Sequence, residues 1–97
     1  ILLFGMNPQA AVEAPRFATY DFPASFEPHT TYPGRLNLEG RFPEATGRAL
    51  AARGHDIHAW PDWTYLAGAV CMVYQDLERG TLAGAADPRR QGYAAGW

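Results

Sequence analysis

The sequence contains no lysine, a single cysteine and a single serine, and it has no apolar run that could cross a membrane. Cys71 has no second cysteine with which to form an intrachain disulfide. Its apolar surroundings predict a buried, unreactive thiol rather than a nucleophile. Ser25 lies outside any Gly-x-Ser-x-Gly motif, so a serine-hydrolase elbow is not indicated. A spanning helix needs about 20 consecutive apolar residues, and we therefore expect no membrane partner.

An excess of either charge is also missing. Eight basic residues, all arginine, stand against ten acidic ones, for a formal net charge of −2. A nucleic-acid-binding domain usually has a strong basic patch, so we expect no nucleic-acid partner. Glycine-rich phosphate loops are absent as well, because Gly84 and Gly96 are isolated. We predict no cofactor.

The composition is that of a folded chain. Hydrophobic residues make up 47% and aromatic residues 13% of the 97 positions, which argues against disorder. A chain of this length forms at most one domain and could bury about 65% of its unfolded surface. The sequence has no initiator methionine and starts inside the apolar run Ile1–Phe4. This start favours a piece of a longer protein, and we expect residues 1–97 to form a single partial domain.

We expect the chain to be organised around the stretch from Ala67 to Arg90. Residues 67–76 are apolar without alternation, as in a strand that is covered on both faces. A short turn ends at Gly80, which can adopt the positive φ that tight hairpins need. Small residues follow over Thr81–Ala86, and Pro88 then ends the pairing because it has no amide hydrogen. The stretch predicts a hairpin of two central strands.

The remaining elements are predicted from capping residues and periodicity. In chain order they are a helix end over Ile1–Phe4, a short helix over Gln9–Ala14, a strand over Arg16–Phe22, a loop over Pro23–Gly34, a strand over Arg35–Glu39, a helix over Pro43–Arg53 and a strand over His55–Trp60. Asn7 and Pro8 suit the start of the first complete helix. Strands outnumber crossover helices, so the fold class is α+β with a largely antiparallel sheet and helices on it.

The strand over Arg35–Glu39 alternates between apolar and polar residues. Such a pattern is typical of a strand with one buried face. We expect Leu36 and Leu38 to face the core. The polar positions Arg35, Asn37 and Glu39 are expected to face solvent.

Two groups of residues resemble ligand sites at first sight. His55, Asp56 and His58 are close in sequence, but on a strand only Asp56 and His58 share a face. A metal site is therefore disfavoured, since too few ligands converge. The aromatic corner Trp60–Trp63 is more simply interpreted as core or interface packing than as a ligand platform.

The densest polar cluster is Asp87-Pro88-Arg89-Arg90. In the simpler interpretation, Asp87 accepts backbone hydrogen bonds in a turn and the arginines are solvated. In the alternative, one arginine is partly buried and binds a carboxylate or backbone carbonyls, tying the hairpin to a neighbouring segment. Arg16, directly after Pro15, has the same two interpretations. We favour structural, partly buried roles for Arg16 and Arg89.

Four segments form a recognisable series: Phe4–Phe17, which contains Ala-Pro-Arg; Leu38–Phe42; Leu50–His55; and Gly84–Arg90, which reads Gly-Ala-Ala-Asp-Pro-Arg-Arg. In this order and spacing they resemble the gamma-glutamyltransferase family. The Trp60–Trp63 corner and the Ala-Gly-Trp ending at Trp97 are more similar to the bacterial gamma-glutamyltransferase-like acylases than to the glutathione enzymes.

The resemblance implies an N-terminal nucleophile hydrolase with an αββα sandwich. In that family the protein cleaves itself, and the new N-terminal threonine of the small subunit attacks a gamma-glutamyl amide after its own α-amino group has activated the hydroxyl. The fragment resembles the C-terminal part of that small subunit. Its threonines are all internal: Thr19, Thr30, Thr31, Thr46, Thr64 and Thr81. We therefore assign no catalytic, cofactor-binding or metal-binding residue, and we expect the isolated segment to be inactive.

Two function classes follow. The first is a scaffold segment of a gamma-glutamyl-transferring or amide-hydrolysing enzyme, whose partners are the rest of that enzyme and a small-molecule gamma-glutamyl or acyl amide. The second is a non-catalytic interaction module built on the same scaffold. Because the hairpin needs cover on both faces, we also expect the isolated segment to expose apolar surface and to self-associate.

Overall fold

The computed structural model describes residues 1–96, and Trp97 of the aromatic ending lies outside the described residues. The chain divides into two compact units, one formed by Ile1–Ala14 with residues 68–96 and the other by Pro15–Ala67. The single partial domain over residues 1–97 stays a prediction. Among the described residues, no helix has the length and apolar character of a membrane span.

The elements follow the predicted order closely. In chain order they are α1 (Pro8–Glu13), β1 (Phe17–Tyr20), β2 (Tyr32–Glu39), α2 (Glu44–Ala51), β3 (Asp56–Trp60), a 3-10 turn over Tyr65–Ala67, β4 (Cys71–Asp76) and β5 (Thr81–Ala86). At the predicted helix end, residues 2–4 form a single turn that Gly5 closes by donating its amide to Ile1 O at 2.8 Å. The architecture is α+β, as predicted.

The unit over Pro15–Ala67 contains a three-stranded sheet with β2 in the centre. β1 is antiparallel to β2 and β3 is parallel to it. Parallel neighbours need a crossover connection, and α2 provides it. Leu38 lies on the face that packs towards α2, because its Cδ1 would be 3.9 Å from a Cβ at Gly47. This face carries the apolar side chains that the alternation predicts.

The opposite face of β2 differs from the prediction. Leu36 and Leu38 are buried as expected, but Asn37 and Glu39 are each only 1% exposed. The expectation that these two polar residues face solvent is therefore wrong. Buried polar groups need hydrogen-bond partners, and Glu39 receives several from neighbouring segments. A central strand covered on both faces can bury polar positions in this way.

In the other unit, α1 begins as the sequence predicts. The Asn7 side chain accepts hydrogen bonds from the amides of Gln9 and Ala10, and Pro8 occupies the first turn. β4 and β5 form an antiparallel hairpin in which Val73 is paired with Gly84. The predicted hairpin is confirmed, because the two strands pair from Cys71 with Ala86 to Asp76 with Thr81 and Gly80 in the turn between them has a φ of 65°.

The prediction that these two strands lie at the centre of the sheet is wrong for this chain. β4 and β5 form a separate two-stranded sheet within the described residues. Val73 is 74% and Leu82 70% exposed, and Cys71 is exposed rather than buried. One face of β4 points away from α1, and so the apolar run that predicted burial is only partly covered in this chain.

Candidate functional site

The first buried polar cluster, here called the Asp87 cluster, follows β5. It comprises Asp87, Arg89 and the backbone groups that they bind. One carboxylate oxygen of Asp87 accepts from the Arg89 amide at 3.0 Å and from Arg89 Nη1 at 3.1 Å. The other oxygen accepts from the Val70 amide at 3.1 Å. Both side chains are 0% exposed, so the pair is fully removed from solvent.

The Arg89 guanidinium also closes the end of α1. Nη1 donates to Val12 O at 3.0 Å and Nη2 donates to Ala14 O at 2.8 Å. The last carbonyls of a helix have no intrahelical partner, and a cation near this end is electrostatically favourable. Arg89 thus joins the segment after β5 to the end of α1, since Val12 and Ala14 lie 77 and 75 positions before it in sequence.

Gln9 makes a second link between the same elements. Its Nε2 donates to Ala86 O at 3.0 Å, and its Oε1 accepts from the Ala86 amide at 3.3 Å. The side-chain amide therefore pairs with β5 in the way that a neighbouring strand would. This contact provides partners for the amide and the carbonyl of Ala86. Unpaired backbone groups at a sheet edge otherwise favour pairing with another chain.

The second cluster, here called the Glu39 cluster, lies at the end of β2 in the other unit. Oε2 of Glu39 accepts from the Arg16 amide at 2.9 Å and from Arg41 Nη2 at 3.0 Å. Oε1 accepts from the Thr64 amide at 3.3 Å. The Glu39 side chain is 0% exposed, whereas that of Arg41 is 23% exposed. One carboxylate therefore holds together β1, β2 and the segment after β3.

Arg41 fixes the aromatic corner of this cluster. Its Nε donates to Asp62 O at 2.8 Å, and its Cζ lies 3.5 Å from the centroid of the Trp63 ring. A guanidinium over an indole face is a favourable cation–π contact. The corner contacts the fold through Arg41, while Trp63 itself stays 43% exposed. Its interpretation as core or interface packing stays a prediction.

The predicted structural role of Arg89 is confirmed, since its guanidinium is buried and binds both a carboxylate and backbone carbonyls. Arg16 is half-buried. It contacts Glu39 through its backbone amide, and its Nη1 donates to Ala67 O at 3.3 Å. The partly buried role of Arg16 is confirmed as well.

The histidine-containing strand carries a pair rather than a cluster. Asp56 and His58 lie on one face, and His58 Nε2 is 2.8 Å from Asp56 Oδ2. Within residues 1–96, no group of three or more histidine, cysteine, aspartate or glutamate side chains converges on a point that could hold a metal ion.

The two clusters are suited to holding backbone segments in place. Each carboxylate already accepts hydrogen bonds from an arginine and from backbone amides, so its lone pairs are largely occupied. An acid–base group must instead reach the proton that it transfers. Sequence reasoning missed the role of Arg41, although the Leu38–Phe42 motif contains both it and Glu39. The geometry of both clusters is therefore that of a structural support, and the absence of a catalytic residue from residues 1–97 stays a prediction.

A family model described as gamma-glutamyltranspeptidase matches residues 1–97 of the chain. The chain belongs to this family. The match covers every residue in both units, including the two clusters. It confirms the family resemblance that the four sequence motifs indicate.

Curated relatives agree with this assignment. The chain is 35% identical over 99 residues to the glutathione hydrolase-like YwrD proenzyme of Bacillus subtilis, with 99% of this chain and 17% of the relative covered. It is 39% identical over 62 residues to the oxamate amidohydrolase proenzyme of Klebsiella pneumoniae, with 64% of this chain and 12% of the relative covered. The chain thus spans less than a fifth of the length of these proteins.

Solved structures show the same fold. A structure of LmbA2991HD matches 98% of this chain at 36% identity with a TM-score of 0.87, and the match covers 16% of that protein. A cephalosporin acylase from Bacillus halodurans matches 99% of this chain at 33% identity with a TM-score of 0.78, and again 16% of that protein is covered. The predicted fold class, part of an N-terminal nucleophile hydrolase sandwich, is confirmed.

Proposed function

We propose that this chain is the C-terminal scaffold segment of a gamma-glutamyltransferase-like enzyme that transfers or hydrolyses gamma-glutamyl or related acyl amides. The observation that carries the proposal is the family match over residues 1–97. The relatives are named as proenzymes, which supports self-cleavage during maturation. The short coverage of those relatives supports a catalytic part that lies outside this chain.

The proposed reaction uses an N-terminal threonine upstream of Ile1. Its hydroxyl attacks the amide carbonyl while its α-amino group takes the hydroxyl proton. The amine leaves with a proton, and water or a second amine then releases the acyl group from the threonine ester. The residues described here act at a distance from these steps. The two clusters hold strand ends and helix ends in fixed positions, which a precise active site requires of its support.

Activity assays on the full-length protein test the proposal. Purified full-length protein is incubated with a gamma-glutamyl anilide and with simple acyl amides, and product release is followed with and without an acceptor amine. Residues 1–97 alone are the control. We expect turnover of at least one amide by the full-length protein and none by the segment above a buffer blank.

Two results would contradict the proposal. Turnover by the repurified segment would place a nucleophile within residues 1–97. A full-length protein that neither cleaves itself nor hydrolyses any of the amides would support the interaction module instead.

A further inference from the structure

Arg35 of β2 lies against two aromatic rings. Its Cζ lies 5.5 Å from the centroid of the Tyr20 ring and 5.0 Å from that of the Tyr32 ring. The two rings meet edge to face, with centroids 6.4 Å apart. Contact with aromatic rings limits the orientations of the guanidinium and removes part of its hydration shell. Arginine tolerates this loss well, because its guanidinium is weakly hydrated.

A buried amide orients the same side chain. Arg35 Nε donates to Asn37 Oδ1 at 3.3 Å. Asn37 is 1% exposed, and its Nδ2 has no hydrogen-bond partner among residues 1–96. An unsatisfied buried N–H costs free energy that an apolar side chain at this strand position would avoid. The contact that Asn37 makes with Arg35 is thus the described interaction that accounts for an amide at this position.

Within the part of the chain that the structure describes, Arg35 donates its hydrogen bond through Nε and forms no ion pair. Its two terminal nitrogens are therefore open there. Asp56 is the residue opposite Arg35 in the register of β2 and β3. Its carboxylate nevertheless pairs with His58 at 2.8 Å. The neighbouring acidic side chain is therefore engaged elsewhere, and the outer edge of the guanidinium is available.

We propose that Arg35 is a binding site for a carboxylate, oriented by Tyr20, Tyr32 and Asn37. The two terminal nitrogens of a guanidinium form a fork that matches a planar carboxylate with two parallel hydrogen bonds. A single cation beside aromatic rings suits a planar carboxylate better than a dianionic phosphate, which is more strongly hydrated. The proposal rests on contacts within the unit over Pro15–Ala67 and does not depend on the reaction proposed above.

The carboxylate has two potential sources with the same chemistry. It is either that of a small molecule or that of an aspartate or glutamate elsewhere in the full-length protein. Both would lie in the plane of the guanidinium. The experiment therefore has one arm for each source.

The first arm measures binding of glutarate, acetate and inorganic phosphate to the full-length protein by calorimetry. If the source is a small molecule, we expect Arg35→Gln to weaken glutarate binding by about tenfold or more, which corresponds to about 1.4 kcal/mol. Asn37→Leu should weaken it less, because it releases the guanidinium without removing it. Arg48→Gln is the matched control: Arg48 is an exposed arginine on α2 that pairs with Glu44, and its loss should leave binding unchanged.

The second arm is a crystal structure of the full-length protein. If the source is internal, no glutarate binds, and a carboxylate oxygen of an aspartate or glutamate outside this chain lies within about 3.2 Å of an Arg35 Nη atom. The absence of both glutarate binding and such an internal carboxylate would overturn the proposal. Tighter binding of phosphate than of glutarate would overturn the assignment to a carboxylate.

Discussion

The Asp87 cluster and the Glu39 cluster both hold chain segments together through a buried carboxylate, but their arginines are buried to different degrees. Each places an arginine and a carboxylate two positions apart in sequence and uses the carboxylate to collect backbone amides. In the Asp87 cluster both side chains are 0% exposed. In the Glu39 cluster the carboxylate is equally buried, but Arg41 is 23% exposed and rests against Trp63.

The difference determines what each arginine contributes. Removal of Arg89 would take a bound cation away from the fully buried Asp87 carboxylate and would also release two carbonyls at the end of α1. Removal of Arg41 would leave Glu39 with the Arg16 and Thr64 amides, and water could reach the vacated position. Breaking a buried pair costs more than breaking a partly exposed one. The two units should therefore respond unequally to the same type of substitution.

The largest effect is expected for Arg89→Met in the full-length protein. Loss of a fully buried ion-pair partner should lower the free energy of unfolding by about 3–5 kcal/mol. Urea denaturation measures this change, and gel analysis of maturation should show accumulation of uncleaved precursor. Arg90→Met, at the exposed neighbouring position, is the control and should change stability by less than about 1 kcal/mol.

A double variant sharpens this first test. Asp87→Asn combined with Arg89→Met removes the stranded charge while keeping an acceptor for the Val70 amide. It should be more stable than Arg89→Met alone, because the uncompensated buried charge carries much of the cost. A double variant less stable than Arg89→Met would contradict the ion-pair explanation.

A smaller effect is expected for Arg41→Met. The remaining amide donors to Glu39 and the partial exposure of Arg41 limit the loss to about 1–2 kcal/mol. The same denaturation series measures it, with Glu78→Gln in the exposed β4–β5 turn as a control near zero. A loss for Arg41→Met that equals or exceeds the loss for Arg89→Met would break the comparison between the clusters.

The smallest effect is expected for Gln9→Leu, which removes a neutral link to Ala86. Two backbone groups of β5 lose a partner, and we expect a loss of about 1 kcal/mol. Gln75→Leu, at an exposed position on β4, provides the matched control. Equal stability of the two variants would show that the Gln9 contact contributes nothing.

Local signals in the sequence predicted the elements well, because the relevant interactions are short in range. Asn7 and Pro8 begin α1, and the helix over Glu44–Ala51 lies inside the predicted range. The burial of Arg89 was also predictable in part, since a proline beside an arginine at a strand end suggests a fixed role. For the helices, the residues that act on one another are a few positions apart, whereas the carbonyls that Arg89 binds lie 77 and 75 positions away.

Long-range contacts were not predictable from one sequence. Alternation along β2 assigns side chains to faces, but it does not say that the second face is covered, so the burial of Asn37 and Glu39 was missed. The exposure of Cys71 was missed for the converse reason, because an apolar run does not reveal what packs against it. The donors that converge on Glu39 from separate segments become visible only in three dimensions.

Intact-mass spectrometry of the mature full-length protein tests most directly whether this chain is a scaffold segment with its nucleophile elsewhere. We predict a small fragment whose N-terminal residue is a threonine upstream of Ile1 and which contains the whole of residues 1–97. Substituting that threonine with alanine should leave a single uncleaved species. A new N-terminus within residues 1–97, or a protein that remains uncleaved while hydrolysing amides, would contradict this assignment.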